Sequence, residues 1–131
     1  MVMDINALQM RGFSELFDES KGVQRLSNAY QTFEDAENLL TRAEKNAPGD
    51  VQLLELRGYM FKDLAMLSQE QSKPEEVKRF LANAEETFNA VLKRRPSASA
   101  YNGLGNAYML RGDLDRAEKE IRSALQLVPD Y

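Results

Sequence analysis

The chain predicts an all-α fold of antiparallel helix pairs, and three observations carry that expectation. Apolar residues recur at the i, i+3, i+4, i+7 spacing of one helix face, as in Val77, Phe80, Leu81, Ala84, Phe88, Val91 and Leu92. Strict alternation over strand lengths is missing, and β-branched clusters are few. Four prolines and seven glycines are the main breaks in 131 residues, and the connections they mark are short. Short links between apolar-faced helices make neighbours antiparallel.

Six helices follow from the start and stop signals. Asp4 is placed to cap the first, near residues 4–18, and Ser20-Lys21-Gly22 breaks it because glycine readily ends a helix. The second, near 23–46, carries Leu26, Ala29, Tyr30, Phe33, Ala36, Leu40 and Ala43 at helical spacing. Ala47-Pro48-Gly49-Asp50 is a turn, and Asp50 can cap a third helix near 51–71. Ser72-Lys73-Pro74-Glu75 sets a Ser and a Glu at capping-box spacing, with proline in the first turn of a fourth helix near 75–94. Proline is tolerated there because its missing N–H has no partner to lose. Pro96-Ser97 breaks the chain before a fifth helix near 98–111. Gly112-Asp113 is a short turn into a sixth, near 114–128, whose face carries Leu114, Ala117, Ile121, Ala124, Leu125 and Val128.

An internal repeat underlies the six. Residues 98–131 carry Tyr101, Leu104-Gly105, Tyr108, Ala117, Ile121, Ala124 and Pro129. These spacings fit W-x-x-L-G-x-x-Y, then A-x-x-x-F, then P, with Tyr101 for the Trp and Ile121 for the Phe. This segment closely resembles a tetratricopeptide repeat. Upstream, Leu54, Arg57-Gly58, Phe61, Ala84, Phe88 and Pro96 repeat the pattern, as do Leu8, Arg11-Gly12, Ala36, Leu40, Ala43 and Pro48. The alanines Ala36, Ala84 and Ala117 and the prolines Pro48, Pro96 and Pro129 keep the same two intervals, a long one followed by a short one. Gly12 and Gly58 stand about twice as far ahead of their alanines as Gly105 does, so the first two pairs carry extra residues around the hairpin. At 3.6 residues per turn the surplus is about two turns on each helix, which keeps the faces in phase. The expected architecture is an α-solenoid of three helix pairs, the first two elongated. It forms one domain over 1–131, with repeats near 4–49, 50–97 and 98–131. The glycines and alanines are expected to let paired helices approach closely.

Composition removes most chemistry. The chain has no Cys, no His and no Trp. There is therefore no disulfide, thiol nucleophile or thiolate metal site, and the commonest general base and metal ligand is absent. The acidic clusters Glu34-Asp35, Glu37, Glu75-Glu76, Glu85-Glu86, Glu118 and Glu120 read as solvated faces and helix N-terminal charge rather than as metal or acid–base sites. No catalytic, cofactor or metal residue is expected, and the chain is read as not an enzyme. The net charge of −4 disfavours nucleic acid. Lys93-Arg94-Arg95 reads as a helix C-terminal charge cluster. No run approaches the length of a membrane span, and Met1-Val2-Met3-Asp4-Ile5-Asn6 lacks the pattern of a secretory signal, so the expected location is the cytoplasm.

What remains is surface. The tetratricopeptide resemblance implies that the first helices of successive pairs line a concave groove. Groove positions fall three before, one after and four after each packing glycine. They select Gln9, Glu55 and Asn102; Phe13, Tyr59 and Asn106; and Leu16, Lys62 and Met109. Phe13, Tyr59, Asn102, Asn106 and Met109 are the candidate peptide-binding residues, with a core role as the other reading of Phe13, Leu16 and Tyr59. Some family members clamp a terminal carboxylate with Lys, Asn and Arg. Here Phe13 stands at such an Asn position and Lys62 is the one cation among the nine, which disfavours acidic peptide termini. Leu110, Leu125, Leu127 and Val128 are expected to form an uncapped apolar edge in the last repeat that takes a second copy as a homodimer; cover by a partner or by further repeats, and a monomer shielded by Tyr131 and charged residues, are the other readings. The expected partners are therefore a protein or peptide and a second copy, with no cofactor. The function expected is a non-catalytic adaptor or scaffold. A small acidic secretion-type chaperone, which such three-repeat proteins also resemble, is the alternative.

Overall fold

The computed structural model describes residues 2–16 and 24–129. Six helices stand in order: α1 Val2–Leu16, α2 Gln24–Asn46, α3 Val51–Glu70, α4 Pro74–Arg94, α5 Ala98–Arg111 and α6 Leu114–Leu127. No strand occurs among the described residues. The predicted break at Ser20–Gly22, the side chains of Leu16 and Leu26, and Tyr131 lie outside the described residues.

Local chemistry explains most of the helix ends. Asp50 accepts the backbone N–H of Leu53 at 3.0 Å and starts α3. Ser97 does the same for Ala100 at 3.0 Å and starts α5. Asp113 accepts from Arg116 N at 3.3 Å and starts α6. Gly112 closes α5 in the left-handed region at φ 87°, where a side chain would strain the backbone.

Two expected caps are not made. Asp4 lies inside α1, which begins at Val2, so it places negative charge in the first turn instead of capping it. The Ser72–Glu75 capping box fails by a single position. Helix α4 begins at Pro74, which makes Lys73 the flanking residue, and its side chain makes no capping bond. Ser72 leaves α3 at φ 56°, not in the extended backbone an N-cap needs. Glu76 ties the two helices instead, accepting from Ser68 Oγ at 3.2 Å.

The helices pack as α1 with α2, α3 with α4 and α5 with α6, and the first helices touch in succession, α1 with α3 and α3 with α5. Ile5, Ala29, Phe33, Ala36, Leu40, Leu53 and Met60 fill the core between α1, α2 and α3. Ala84, Phe88, Val91, Leu104, Tyr108 and Ala117 fill the core between α4, α5 and α6, with Leu54, Tyr59 and Phe61 of α3 packed against it. Tyr30 does not share the buried face of α2 and stands exposed.

Each pair closes with a glycine facing a large apolar side chain. A Cβ on Gly12 would stand 2.5 Å from the Phe33 ring, one on Gly58 2.6 Å from the Phe88 ring, and one on Gly105 2.7 Å from Ile121. Gly103, which the repeat arithmetic passed over, meets Phe88 from α5 more closely still. Phe88 is thus held between α3 and α5.

These contacts correct the register of the first pair. Gly12 faces Phe33, not Leu40, as Gly58 faces Phe88 and Gly105 faces Ile121. Ala29-x-x-x-Phe33 and Ala36-x-x-x-Leu40 stand about two turns apart along one face, and sequence spacing cannot tell them apart. In the second pair the surplus sits at the hairpin, as expected: α3 continues from Gly58 to Glu70, whereas α5 ends at Arg111 soon after Gly105. In the first pair more than half of it sits at the far end, where α2 continues from Phe33 to Asn46. That extension carries Thr41 and Glu44, and Arg57 of α3 reaches Glu44 Oε1 at 2.6 Å and Thr41 Oγ1 at 3.3 Å.

Candidate functional site

The succession of α1, α3 and α5 leaves a groove of about 540 Å³, chiefly between α1 and α3. Asn6, Gln9, Met10 and Phe13 line it from α1; Gln52, Glu55, Leu56, Tyr59, Lys62 and Asp63 from α3; and Ser99 from α5. Gln52, Glu55, Tyr59 and Lys62 recur at i+3 and i+4 steps, so one helical face presents them all.

Its walls are fixed by hydrogen bonds. Gln9 is buried, and its Nε2 donates to the carbonyl of Leu56 at 2.9 Å, holding α1 on α3. Ser97 Oγ donates to Glu55 Oε1 at 3.0 Å while accepting from Ala100 N. Arg95 Nη2 lies 3.5 Å from the same Glu55 oxygen. One serine therefore starts α5 and orients a groove carboxylate. Tyr59 Oη donates to the carbonyl of Ser99 at 2.7 Å and accepts from Asn102 Nδ2 at 3.3 Å. Its ring packs edge-on against Phe88, with centroids 5.0 Å apart and planes at 77°. Tyr59 is thus part wall and part core, and it joins α3 to α5.

Lys62 and Asp63 form the polar centre. Lys62 Nζ stands 5.3 Å from the centroid of the Phe13 ring, 5.8 Å from that of Tyr59 and 2.7 Å from Asp63 Oδ1. Asp63 is buried, and its Oδ1 makes no hydrogen bond among the described residues. The ammonium lies at ion-pair distance from it. Burial pushes the Asp63 carboxyl above its ordinary value of 3.8, and the Lys62 charge opposes that without cancelling it.

The predicted groove residues divide. Phe13 and Tyr59 meet across Lys62, and Phe13 is 41% exposed. Asn102 joins them through the Tyr59 hydroxyl. Asn106 and Met109 do not line the cavity; they lie further along α5, Asn106 half-buried and Met109 exposed. Asp63 and Ser99 were not anticipated. A signal for Asp63 exists: Met60, Asp63 and Leu67 sit at i, i+3 and i+7, which places a carboxylate within an apolar stripe. Of the predicted edge, Leu125, Leu127 and Val128 are exposed. Leu110 is not part of it: it is half-buried against Ala65, Leu81 and Ala107, because its side of α5 faces α3 and α4. Arg94, read from sequence as helix-end charge, donates to the carbonyl of Gly49 and ties the end of α4 to the turn before α3.

The family model of the tetratricopeptide repeat matches residues 78–131. That segment, less than half of the chain, is similar to a tetratricopeptide repeat. It takes in α4 from Lys78 onward and all of α5 and α6. Within it lie Phe88, the Gly105–Ile121 closure and the Ser97 and Asp113 caps. The tetratricopeptide segment also supplies Ser99 and Asn102, through which Tyr59 fixes the groove. No curated protein and no solved structure matches the chain. Among the described residues, no group of three or more acidic side chains could hold a metal ion, and no helix is long and apolar enough to cross a membrane.

Proposed function

We propose that the chain is a non-catalytic protein-interaction module whose α1–α3 groove takes a peptide or helix of a partner. The similarity of residues 78–131 to a tetratricopeptide repeat supports protein–protein interaction as the functional class. The observation that carries the groove is its lining: an exposed aromatic ring, Phe13, set among the amides Asn6 and Gln52 on two helices that Gln9 ties together. Rigid aromatic area with adjacent amides suits a peptide backbone and its side chains. In this reading the elongated upstream pairs, near 4–49 and 50–97, are repeats of the same kind as 98–131, and together they form one scaffold.

The test is affinity capture from the native cell extract with the wild type, Phe13→Ala and Gln52→Ala, each checked for helical content by circular dichroism. Both variants lose the captured partner while remaining folded. Equal capture by all three removes the groove from the function.

A second reading has its own support. Leu125, Leu127 and Val128 are exposed together at the end of α6, with Leu114 exposed at its start. We read this face as one that takes a second copy of the chain.

A further inference from the structure

We propose that the groove reads a cationic side chain of its partner, an arginine above all, in the box formed by Phe13, Tyr59 and Asp63, and that Lys62 fills this box as an internal stand-in. The proposal rests on the groove reading above and specifies what the groove selects.

Three features converge on one point. Two aromatic rings from two helices and a buried carboxylate all approach the position that the Lys62 ammonium holds. Ring faces and carboxylates attract the same ligand, a cation. Lys62 suits the position poorly. Consecutive residues on a helix do not face each other, so Lys62 must curl back to reach the neighbouring Asp63. It arrives at 2.7 Å yet leaves Oδ1 without a hydrogen bond. Buried carboxylate oxygens are ordinarily hydrogen-bonded, so Oδ1 would gain from a better-aligned donor.

An incoming guanidinium supplies it. Its planar face stacks on Phe13, which lines the groove and is partly exposed. Its fork of N–H donors directs a hydrogen bond at Asp63 Oδ1 while the plane stays on the ring, which a point-charge ammonium on a short tether cannot do. Lys62 has a flexible four-carbon stem and can move its charge out to the mouth of the groove as the guest enters. Charge favours the exchange at long range: the chain carries a net charge of −4, which attracts a cationic guest. The polar atoms beside the box, those of Gln9, Glu55 and Ser99, remain engaged within the fold.

The experiment is a nuclear magnetic resonance titration of the full chain with three capped peptides of equal length. They differ only at the central residue: arginine, norleucine or glutamate. The arginine peptide shifts the amides of Phe13, Tyr59 and Asp63 and binds at least about tenfold tighter than the norleucine peptide, as a stacked and hydrogen-bonded cation should. Lys62→Gln strengthens binding of the arginine peptide alone. Asp63→Asn and Phe13→Leu, the latter staying apolar but losing the ring, each abolish the preference for arginine. Equal affinity for arginine and norleucine at the groove amides overturns the cation box and leaves the groove reading intact. No perturbation of those amides by any of the three at millimolar concentration overturns both. Arginine-dependent shifts confined to other surfaces overturn the proposal as well.

Discussion

Replacing Gly103 by alanine sets two effects of opposite sign against each other. In a helix interior, alanine is favoured over glycine by about 1 kcal/mol. Against this, the new Cβ would stand 2.5 and 2.6 Å from the two Cε atoms of Phe88 and closer still to its Cζ. Carbon atoms in contact rest at about 3.5–4.0 Å, so the ring would have to retreat by more than about 1 Å. Phe88 has nowhere to go: it is fully buried, the Gly58 backbone closes on it from α3, and Tyr59 packs edge-on against it with centroids 5.0 Å apart. Overpacking a filled core typically costs about 1–3 kcal/mol. The clash at three ring atoms places Gly103→Ala at the upper end, for a net loss of about 1–2 kcal/mol after the helix gain. Urea unfolding followed by circular dichroism reads this directly. With a slope of about 2 kcal/mol/M, the midpoint falls by about 0.5–1 M. Trimming the ring in the double variant Gly103→Ala/Phe88→Leu makes the alanine much less costly than in the wild-type background, a coupling expected of residues in direct contact. A midpoint for Gly103→Ala equal to or above that of the wild type would refute the packing argument.

Two further outcomes are expected. Sedimentation equilibrium shows the chain self-associating in the micromolar range, and Leu127→Glu shifts it to monomer; a monomer at every concentration sinks the reading of the α6 face. The Asp63 carboxyl is raised above 3.8 by burial, so the folded state holds its proton more tightly than the unfolded chain does. Its contribution to stability is greatest below that value and is lost as pH rises through the raised value. Asp63→Asn removes the loss, so its stability relative to wild type grows as pH is raised from about 4 towards neutrality. A difference between the two proteins that stays flat with pH would show that Asp63 is not the titrating group.

Much of this was legible because it is local. Asp50 and Asp113 cap the helices they precede, and Gly112 ends α5 where a left-handed residue is required. Chain-local chemistry decides such features, and the sequence displays it. The third pair was legible because 98–131 holds the repeat pattern at its usual length and spacing. The register of the first pair was not, since Phe33 and Leu40 lie on one face of α2, about two turns apart. Only the ring of Phe33 meeting the bare backbone of Gly12 chooses between them. Tyr59 illustrates the same limit. Its position relative to Gly58 places it at the groove, but the bond of its hydroxyl to Ser99, far along the chain, depends on how α3 and α5 meet.

The groove and the core also obey different rules, and α3 shows both at once. Leu53, Met60 and Leu67 of this helix are buried in the first core, while Leu54, Tyr59 and Phe61 pack on the second. A helix with apolar neighbours on two sides has a narrow polar face, and on α3 that face is the groove. Within it, Asp63 breaks the pattern that the rest of the helix keeps: it is a buried carboxylate whose nearest cation is its own chain neighbour. Burying a carboxylate without full hydrogen bonding opposes folding; a leucine in its place would not carry that cost, and an uncharged asparagine would carry less of it. Elsewhere, charged side chains near the core are matched across helices, as Arg57 is by Glu44 and Glu85 by Tyr108 and Arg111. A buried group that breaks the rules kept around it is a place to look for function. Here it coincides with an open groove and two aromatic rings, so the residue that weakens the fold is also the one that gives the surface its chemical preference.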